Sequence, residues 1–522
     1  MPRTSRLVVG LLAAVVVATA GCTLPVLAPG GSGTSAAGPG ASGAPAVPGA
    51  PAAWRPCPEV PRRLVGRGAG GMTYDCASVA VPRNWAAPAG GQKYDVELIR
   101  IRSRTQQARI GSLLVNPGGP GVSGIDTAVY LSFGPAIGGL PRAITDRFDI
   151  VGFDPRGVGR SDPIRCLASR DLDAMNAADP DPVSQSEFDQ VAALTKRMAD
   201  GCGRKYGDQL SLFSTEQAAR DMEAIRAAVG DAKTTYLGFS YGTLLGATYA
   251  QLYPRSIRAL VLDGAVDPKQ DIIAGSETQA KGFERAFTNF TDWCKATPRR
   301  CAIAPDARGT VKDALAKAED APVRGHDGRE ATPGWIFTGV FHALYDESNW
   351  PPLAQAITNL QTGRADEIFN LADAQVQRAA DGTYSNLSDA FLTVSCTDAT
   401  TPLTAERVRQ LQGRWRAKYP LFGGPLAMSL LPCAFWPVRK DPYPTGPAAG
   451  APPIVVVGTT GDPATPYENT ADLATMLGTG HVLTWEGEGH TAYPTTSCIV
   501  NAVDAYLIDL RVPPEGQRCP LR

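Results

Sequence analysis

Short apolar runs alternate with longer stretches of helical period over much of this chain. Ser112-Leu-Leu-Val115, Arg147-Phe-Asp-Ile-Val-Gly-Phe153, Thr234-Thr-Tyr-Leu237, Leu260-Val-Leu-Asp263, Ile454-Val-Val-Val-Gly458 and Val482-Leu-Thr-Trp485 are brief and dominated by aliphatic, β-branched or aromatic residues, which predicts buried strands. Thr215 to Val229 and Leu244 to Tyr253 place apolar residues at helical spacing. The alternation runs from about Tyr94 to Gly264 and resumes at Pro453, which predicts a mostly parallel central sheet flanked by helices. Between these parts, Asp267 to about Gly450 lacks clear strands and shows helical periodicity, as in Gly334 to Leu344 and Pro352 to Leu360. An insertion of that size between core strands reads as a helical lid. The chain therefore divides into a leader (1–21), a Gly/Ala/Pro/Ser tether (22–54), a first part of an α/β core (55–266), a cap (267–450) and a second part of the core (451–522).

The ends of the predicted strands carry the chemistry. Gly238-Phe-Ser240-Tyr-Gly242 sits between a strand and a helix, the context of a nucleophile elbow, in which a strained turn exposes the serine hydroxyl. The strand at Ile454 runs into Thr459-Thr-Gly-Asp462, and the strand at Val482 into Glu486-Gly-Glu-Gly-His490. The order Ser, Asp, His is that of the α/β-hydrolase fold and differs from the two other common serine-protease orders. Four histidines exist, and His326, His342 and His481 lie in a polar loop, on an apolar helix and at a strand start, so His490 is the candidate base. For the acid, Asp462 precedes His490 by one strand–helix unit; Asp263, also at a strand end, is the alternative. Asn116-Pro-Gly-Gly-Pro-Gly121 follows another strand and leaves amides unshielded. The N–H of Gly119, or of Gly118, with that of Tyr241 would hold an oxyanion. No Lys-Ser/Thr follows this loop, so it is not a phosphate-binding P-loop.

These blocks, with Phe153-Asp-Pro-Arg-Gly-Val-Gly-Arg-Ser161 and Gly461-Asp-Pro-Ala-Thr-Pro466, resemble the secreted tripeptidyl aminopeptidases of actinomycetes, relatives of proline iminopeptidase. The resemblance spans about Cys57 to Cys519. It implies an α/β-hydrolase with a cap, acting on the free N-terminus of peptide or protein substrates. Asn116 departs from it, since proline iminopeptidases usually carry His there. The Asp154-to-Ser161 turn reads as a structural brace with an Asp/Arg pairing.

Composition adds export. Arg3 and Arg6 precede an apolar run, Leu7 to Ala18, too short to span a bilayer comfortably, and Thr19-Ala-Gly-Cys22 follows, resembling a bacterial lipoprotein signal with Cys22 lipidated. The mature protein would be anchored outside the cell membrane or in the cell wall, or released to the medium. Of eleven cysteines, ten remain after Cys22, and they fall into successive local pairs: Cys57–Cys76, Cys166–Cys202, Cys294–Cys301, Cys396–Cys433 and Cys498–Cys519. No C-x-x-C exists and histidines are few, so no metal is expected. A net charge of −1 gives no electrostatic reason to seek nucleic acid. A monomer is the default oligomeric state.

The expected enzyme is an exported serine peptidase that releases short peptides, tripeptides by the resemblance, through an acyl-enzyme and without a cofactor. Recognition of a protonated α-amine asks for a partly buried carboxylate, with Asp346, Glu347 and Asp398 as candidates and Trp350, Phe391 and Trp436 as candidate pocket walls. A carboxylesterase or lipase on the same triad, and a non-catalytic peptide-binding lipoprotein, are the alternatives.

Overall fold

The structure is a computed structural model that describes residues 50–438 and 440–521. The leader, Cys22 and the tether through residue 49 lie outside the described residues. The strands are β1 (Arg55–Pro56), β2 (Met72–Pro82), β3 (Lys93–Ser103), β4 (Gly111–Asn116), β5 (Phe148–Phe153), β6 (Thr234–Phe239), β7 (Ile257–Asp263), β8 (Val323–Arg324), β9 (Glu330–Ala331), β10 (Ile454–Gly461), β11 (Gly480–Glu488) and β12 (Gln517–Cys519). All but β8 and β9 form one sheet in the order β1-β2-β3-β5-β4-β6-β7-β10-β11-β12. Pairings from β1 to β5 are antiparallel, and the remaining ones are parallel. The fold is that of an α/β-hydrolase.

Every residue of β4, β5 and β6 is buried. The reason is coverage on both faces: Leu113 and Val115 pack with the helices Gly124–Leu131 and Ser497–Asp509, while Leu114 points to the cluster of Thr215–Val229 and Tyr241–Leu252. Such strands read as continuous apolar runs because neither face meets water. Register pairs Asn116 with Gly238, Phe239 with Asp263 and Val457 with Asp263, so the carboxyl ends of β4, β6, β7 and β10 line one edge. The chain winds from β4 outward to β5 on one side and from β6 to β7 on the other. Loops part at that switch point and leave a crevice.

The cap has its own core, in which Phe283, Phe287, Phe290, Trp335, Trp350 and Phe422 meet. It draws on two excursions of the chain. Besides the helices between β7 and β10, the helix Gln185–Tyr206 contributes Phe188 to this core. Two ion pairs bind the same excursion to the cap, Arg416 to Asp181 at 2.7 Å and Arg378 to Asp173 at 2.8 Å. An amphipathic helix shows that it has an apolar face but not which core receives it, so the sequence placed this segment in the first part of the core. The β8–β9 ribbon, two residues per strand, is likewise too short to show a period.

Disulfides join Cys57 to Cys76, Cys166 to Cys202, Cys294 to Cys301, Cys396 to Cys433 and Cys498 to Cys519. A typical disulfide stabilises by roughly 2–4 kcal/mol. Among the described residues, Cys166, Cys202 and Asp389 form the one group with metal-ligand spacing, but the two sulfurs are bonded to each other. No described helix is long and apolar enough to cross a membrane.

Candidate active site

β6 ends at Phe239, and the helix Tyr241–Leu252 begins two residues later; Ser240 between them has φ 55° and ψ −124°. A positive φ in a non-glycine residue costs about 1–3 kcal/mol and persists only where its surroundings enforce it. Here Ser240 N–H donates to the Asp263 carbonyl at 2.8 Å, and the Ser240 carbonyl accepts from Thr243 N and Oγ1 at 2.8 and 2.7 Å. A β-carbon at Gly242 would lie 2.7 Å from the Asn116 carbonyl oxygen, and one at Gly238 would collide with the Gly242 carbonyl. The two motif glycines thus let strand, turn and neighbouring loop close on one another.

The loop after β4 meets the elbow from the other side. A β-carbon at Gly118, where φ is 95°, would sit 2.9 Å from both Ser240 Cβ and Tyr241 N. The Gly118 N–H donates to Asn116 Oδ1 at 3.0 Å, whereas the N–H groups of Gly119 and Tyr241 find no acceptor among the described residues. This leaves Gly119 rather than Gly118 with an amide to offer. Asn116 accordingly shapes the loop.

Asp462 follows β10 and is fully buried. Its Oδ1 accepts from the N–H groups of Ala464 and Thr465 at 2.9 and 2.8 Å, and its Oδ2 from Thr465 Oγ1 at 3.0 Å and Thr491 N at 3.3 Å. Nδ1 of His490 lies 2.9 Å from both carboxylate oxygens. Asp263 has another task. Its carboxylate accepts the N–H groups of Ala492, at 3.0 Å, and Tyr493, at 2.7 Å, and so pins the loop that carries the imidazole. Burial pushes the Asp263 pKa up to about 7 against those two backbone bonds.

Oγ of Ser240 and Nε2 of His490 are both buried, and neither makes a hydrogen bond among the described residues. The Ser–His bond is thus unmade here, although both residues border the same backbone: Asp263 holds Ser240 N, and a β-carbon at Gly264 would stand 3.2 Å from His490 Cε1. In free enzymes this bond is often long and tightens only with substrate bound.

The cap touches the machinery directly. The Tyr345 carbonyl accepts the His490 N–H at 2.7 Å, and the Tyr345 ring stands edge-on to the imidazole with centroids 5.4 Å apart. Arg285 donates to the Asp462 carbonyl at 3.2 Å and Gln279 to that of Ala464 at 3.1 Å. Between the cap, the β4 loop and the His490 loop lies a cavity of about 400 Å³, lined among others by Pro117, Phe239, Tyr345, Asp346, Glu488 and His490.

Of the residues expected to meet an amine, Asp346 lines this cavity, its Oδ1 accepting the Ser348 N–H at 2.8 Å. Glu347, in the next turn, does not line it. Asp398 is a correction: it does not line this cavity and is buried at a cap–core junction, where both oxygens accept from Thr215. The carboxylate that sequence reasoning missed is Glu488, two residues before His490 and within the Gly-Glu-Gly-His run. Asn289 Nδ2 donates to both its oxygens at 2.9 and 3.0 Å, and burial raises its pKa. Trp350 and Trp436 are also corrections, since they do not line the cavity and pack in hydrophobic clusters. Phe391 lines a second, largely apolar cavity of about 340 Å³ in the cap. His342 borders the first cavity with Nδ1 3.2 Å from Gln375 Oε1, and burial lowers its pKa.

The brace after β5 carries an Asp/Arg pairing, with Arg160 Nη1 3.6 Å from Asp154 Oδ2. Arg156 is buried against Asp221, with Nε 2.7 Å from Oδ2, while Asp154 accepts from Ser123 Oγ at 2.6 Å and Arg160 N at 2.8 Å.

Residues 419–519 match the family described as TAP-like protein, and residues 111–313 the alpha/beta hydrolase fold family. The chain is 37% identical to serine protease Hip1 of Mycobacterium tuberculosis, over 90% of this chain and 91% of that protein. It is also 37% identical to carboxylesterase B of the same organism, over 91% and 92%. With the tripeptidyl aminopeptidase of Streptomyces lividans it shares 31% identity over 85% and 83%.

Proposed function

Because this chain belongs to the tripeptidyl aminopeptidase family of α/β-hydrolase serine peptidases, we propose that it is exported and releases short peptides, tripeptides in the first instance, from substrates with a free N-terminus. In this reading His490 Nε2 takes the proton of Ser240 as Oγ attacks the scissile carbonyl. Asp462 holds the imidazole by Nδ1 and stabilises its charged form. The Gly119 and Tyr241 amides receive the oxyanion, and the protonated His490 then returns its proton to the leaving amine. Water, activated by the same imidazole, releases the peptide from Ser240. No cofactor takes part.

The observation that carries the reading is the pair of carboxylates, Asp346 and Glu488, in the cavity that also contains the His490 edge. An ammonium group enclosed away from water is strongly unfavourable unless it is paired, so such a cavity selects a free α-amine. Five disulfides support export, because an oxidising compartment is where such bonds persist. The Cys22 motif supports a lipid anchor on the outer face; loss of fatty-acid labelling in Cys22→Ala is the check.

The deciding experiment compares tripeptidyl amides with free and acetylated N-termini. Free-amine substrates are expected to turn over at least tenfold faster, with all turnover lost in Ser240→Ala; equal rates would remove the aminopeptidase reading. The apolar cap cavity supports carboxylesterase activity as a second reading. Faster turnover of medium-chain p-nitrophenyl esters than of any free-amine peptide would favour it.

A further inference from the structure

Asp398 closes the cap helix Leu387–Asp398 and is 5% exposed. Its Oδ1 accepts the Thr215 N–H at 2.9 Å and its Oδ2 the Thr215 hydroxyl at 2.6 Å. The same hydroxyl lies 2.6 Å from the Tyr241 hydroxyl. A hydroxyl has one proton to give. When Asp398 is ionised the Thr215 proton goes to it and Tyr241 donates to Thr215; when Asp398 is protonated it donates to Thr215, which donates to Tyr241, and in either state one chain joins Tyr241 through Thr215 to Asp398. Tyr241 is the residue after the nucleophile, and its backbone N–H is the one given to the oxyanion under the proposed function. Three elements are thereby linked: the cap helix, the core helix Thr215–Val229 and the elbow helix Tyr241–Leu252.

We propose that Asp398 is a positioning residue for the reaction: through Thr215 it orients the Tyr241 side chain, and with it the oxyanion-binding amide, so that seating of the cap aligns the oxyanion hole. The inference rests on the oxyanion role given to Tyr241 under the proposed function. A carboxyl is a poor choice for mere packing at a buried junction, where apolar side chains of similar volume often stabilise as well or better. Burial pushes the Asp398 pKa up to about 8 in spite of both Thr215 bonds, and that of Lys440 down to about 8. Lys440, Asp441, Glu216, Tyr241 and Tyr443 are the titratable neighbours. Asp441 is itself held by Ser214 Oγ at 2.7 Å, the N-cap of the same helix, whose terminus favours an anion.

The test is steady-state turnover of a free-amine tripeptidyl amide per active site titrated with a fluorophosphonate. Removing one oxyanion donor typically costs 10²–10³ in kcat, so misaligning one should cost about tenfold. Asp398→Asn, Thr215→Val and Tyr241→Phe are each expected to lower kcat by about that factor with KM within about twofold. Thr215→Ser should recover most of the rate, and Asp398→Asn combined with Tyr241→Phe should be no slower than the slower single variant, because one chain is broken once. Wild-type kcat per titrated site in Tyr241→Phe, or an Asp398→Asn that lowers only Tm, would overturn the proposal, as would losses that multiply in the double variant. Failure of the triad itself has another signature, turnover that survives in Ser240→Ala.

Discussion

Asp462 and Asp346 are two carboxylates facing the same chemistry from opposite sides, and their surroundings differ sharply. Asp462, at a strand end, accepts from four protein donors besides the imidazole and is fully buried. Asp346, in the cap, accepts a single backbone N–H from its own turn and borders an open cavity. A group that must hold one imidazole tautomer gains from having every lone pair fixed. A group proposed to receive an incoming cation needs lone pairs left over. Asp462 is saturated by protein donors, whereas Asp346 keeps acceptor capacity toward the proposed substrate.

The contrast orders the expected effects. Ser240→Ala should remove turnover by roughly 10⁶-fold, as nucleophile loss does in serine peptidases, measured as kcat with folding checked by circular dichroism. Asp462→Asn should cost about 10⁴-fold in kcat by favouring the wrong tautomer. Asp263→Asn, which touches the loop but not the ring, should cost far less; equal losses in both variants would erase the distinction between ring partner and loop anchor. On the side of the cavity carboxylates, Glu488→Gln at the end of β11 and Asp346→Asn in the cap should each raise KM for free-amine peptides about tenfold while leaving blocked esters unaffected. A fall in kcat without a change in KM would move these residues into the catalytic machinery.

The smallest effect concerns pH. Asp154, Asp263 and Asp398 carry pKa values pushed by burial up to about 6, 7 and 8, well above the unfolded carboxylate range. The folded state therefore binds more protons than the unfolded one between the unfolded pKa and those values, and stability falls as pH rises through them. Tm should be higher at pH 5.5 than at pH 8.5, and Asp263→Asn should flatten the middle of that slope. Ionisation of Glu488, raised by its burial, runs the other way for binding: KM for free-amine peptides should rise as pH falls below that raised value.

Much of the catalytic edge was legible because each group follows its own strand directly. Gly238-Phe-Ser-Tyr-Gly242, Gly461-Asp462 and Gly-Glu-Gly-His490 are contiguous, and a strand that ends in a glycine-bearing loop places its next side chain at the sheet edge whatever lies above. The choice of Asp462 over Asp263 rested on its place one strand–helix unit before His490 but was not fully legible, since both end neighbouring strands and the path of the 489–493 loop decides which one meets Nδ1. Nor was Glu488 as a cavity residue, which depends on Asn289 arriving from a cap helix 199 residues away. The sequence by itself determined the six strands β4, β5, β6, β7, β10 and β11, the elbow and the order of the proposed reacting groups, because these depend on local backbone conformation and on burial of both strand faces. The tertiary structure alone decided the membership of the cap, the cavity carboxylates and the burial of Asp398, because each requires side chains far apart in the chain to share one low-dielectric space.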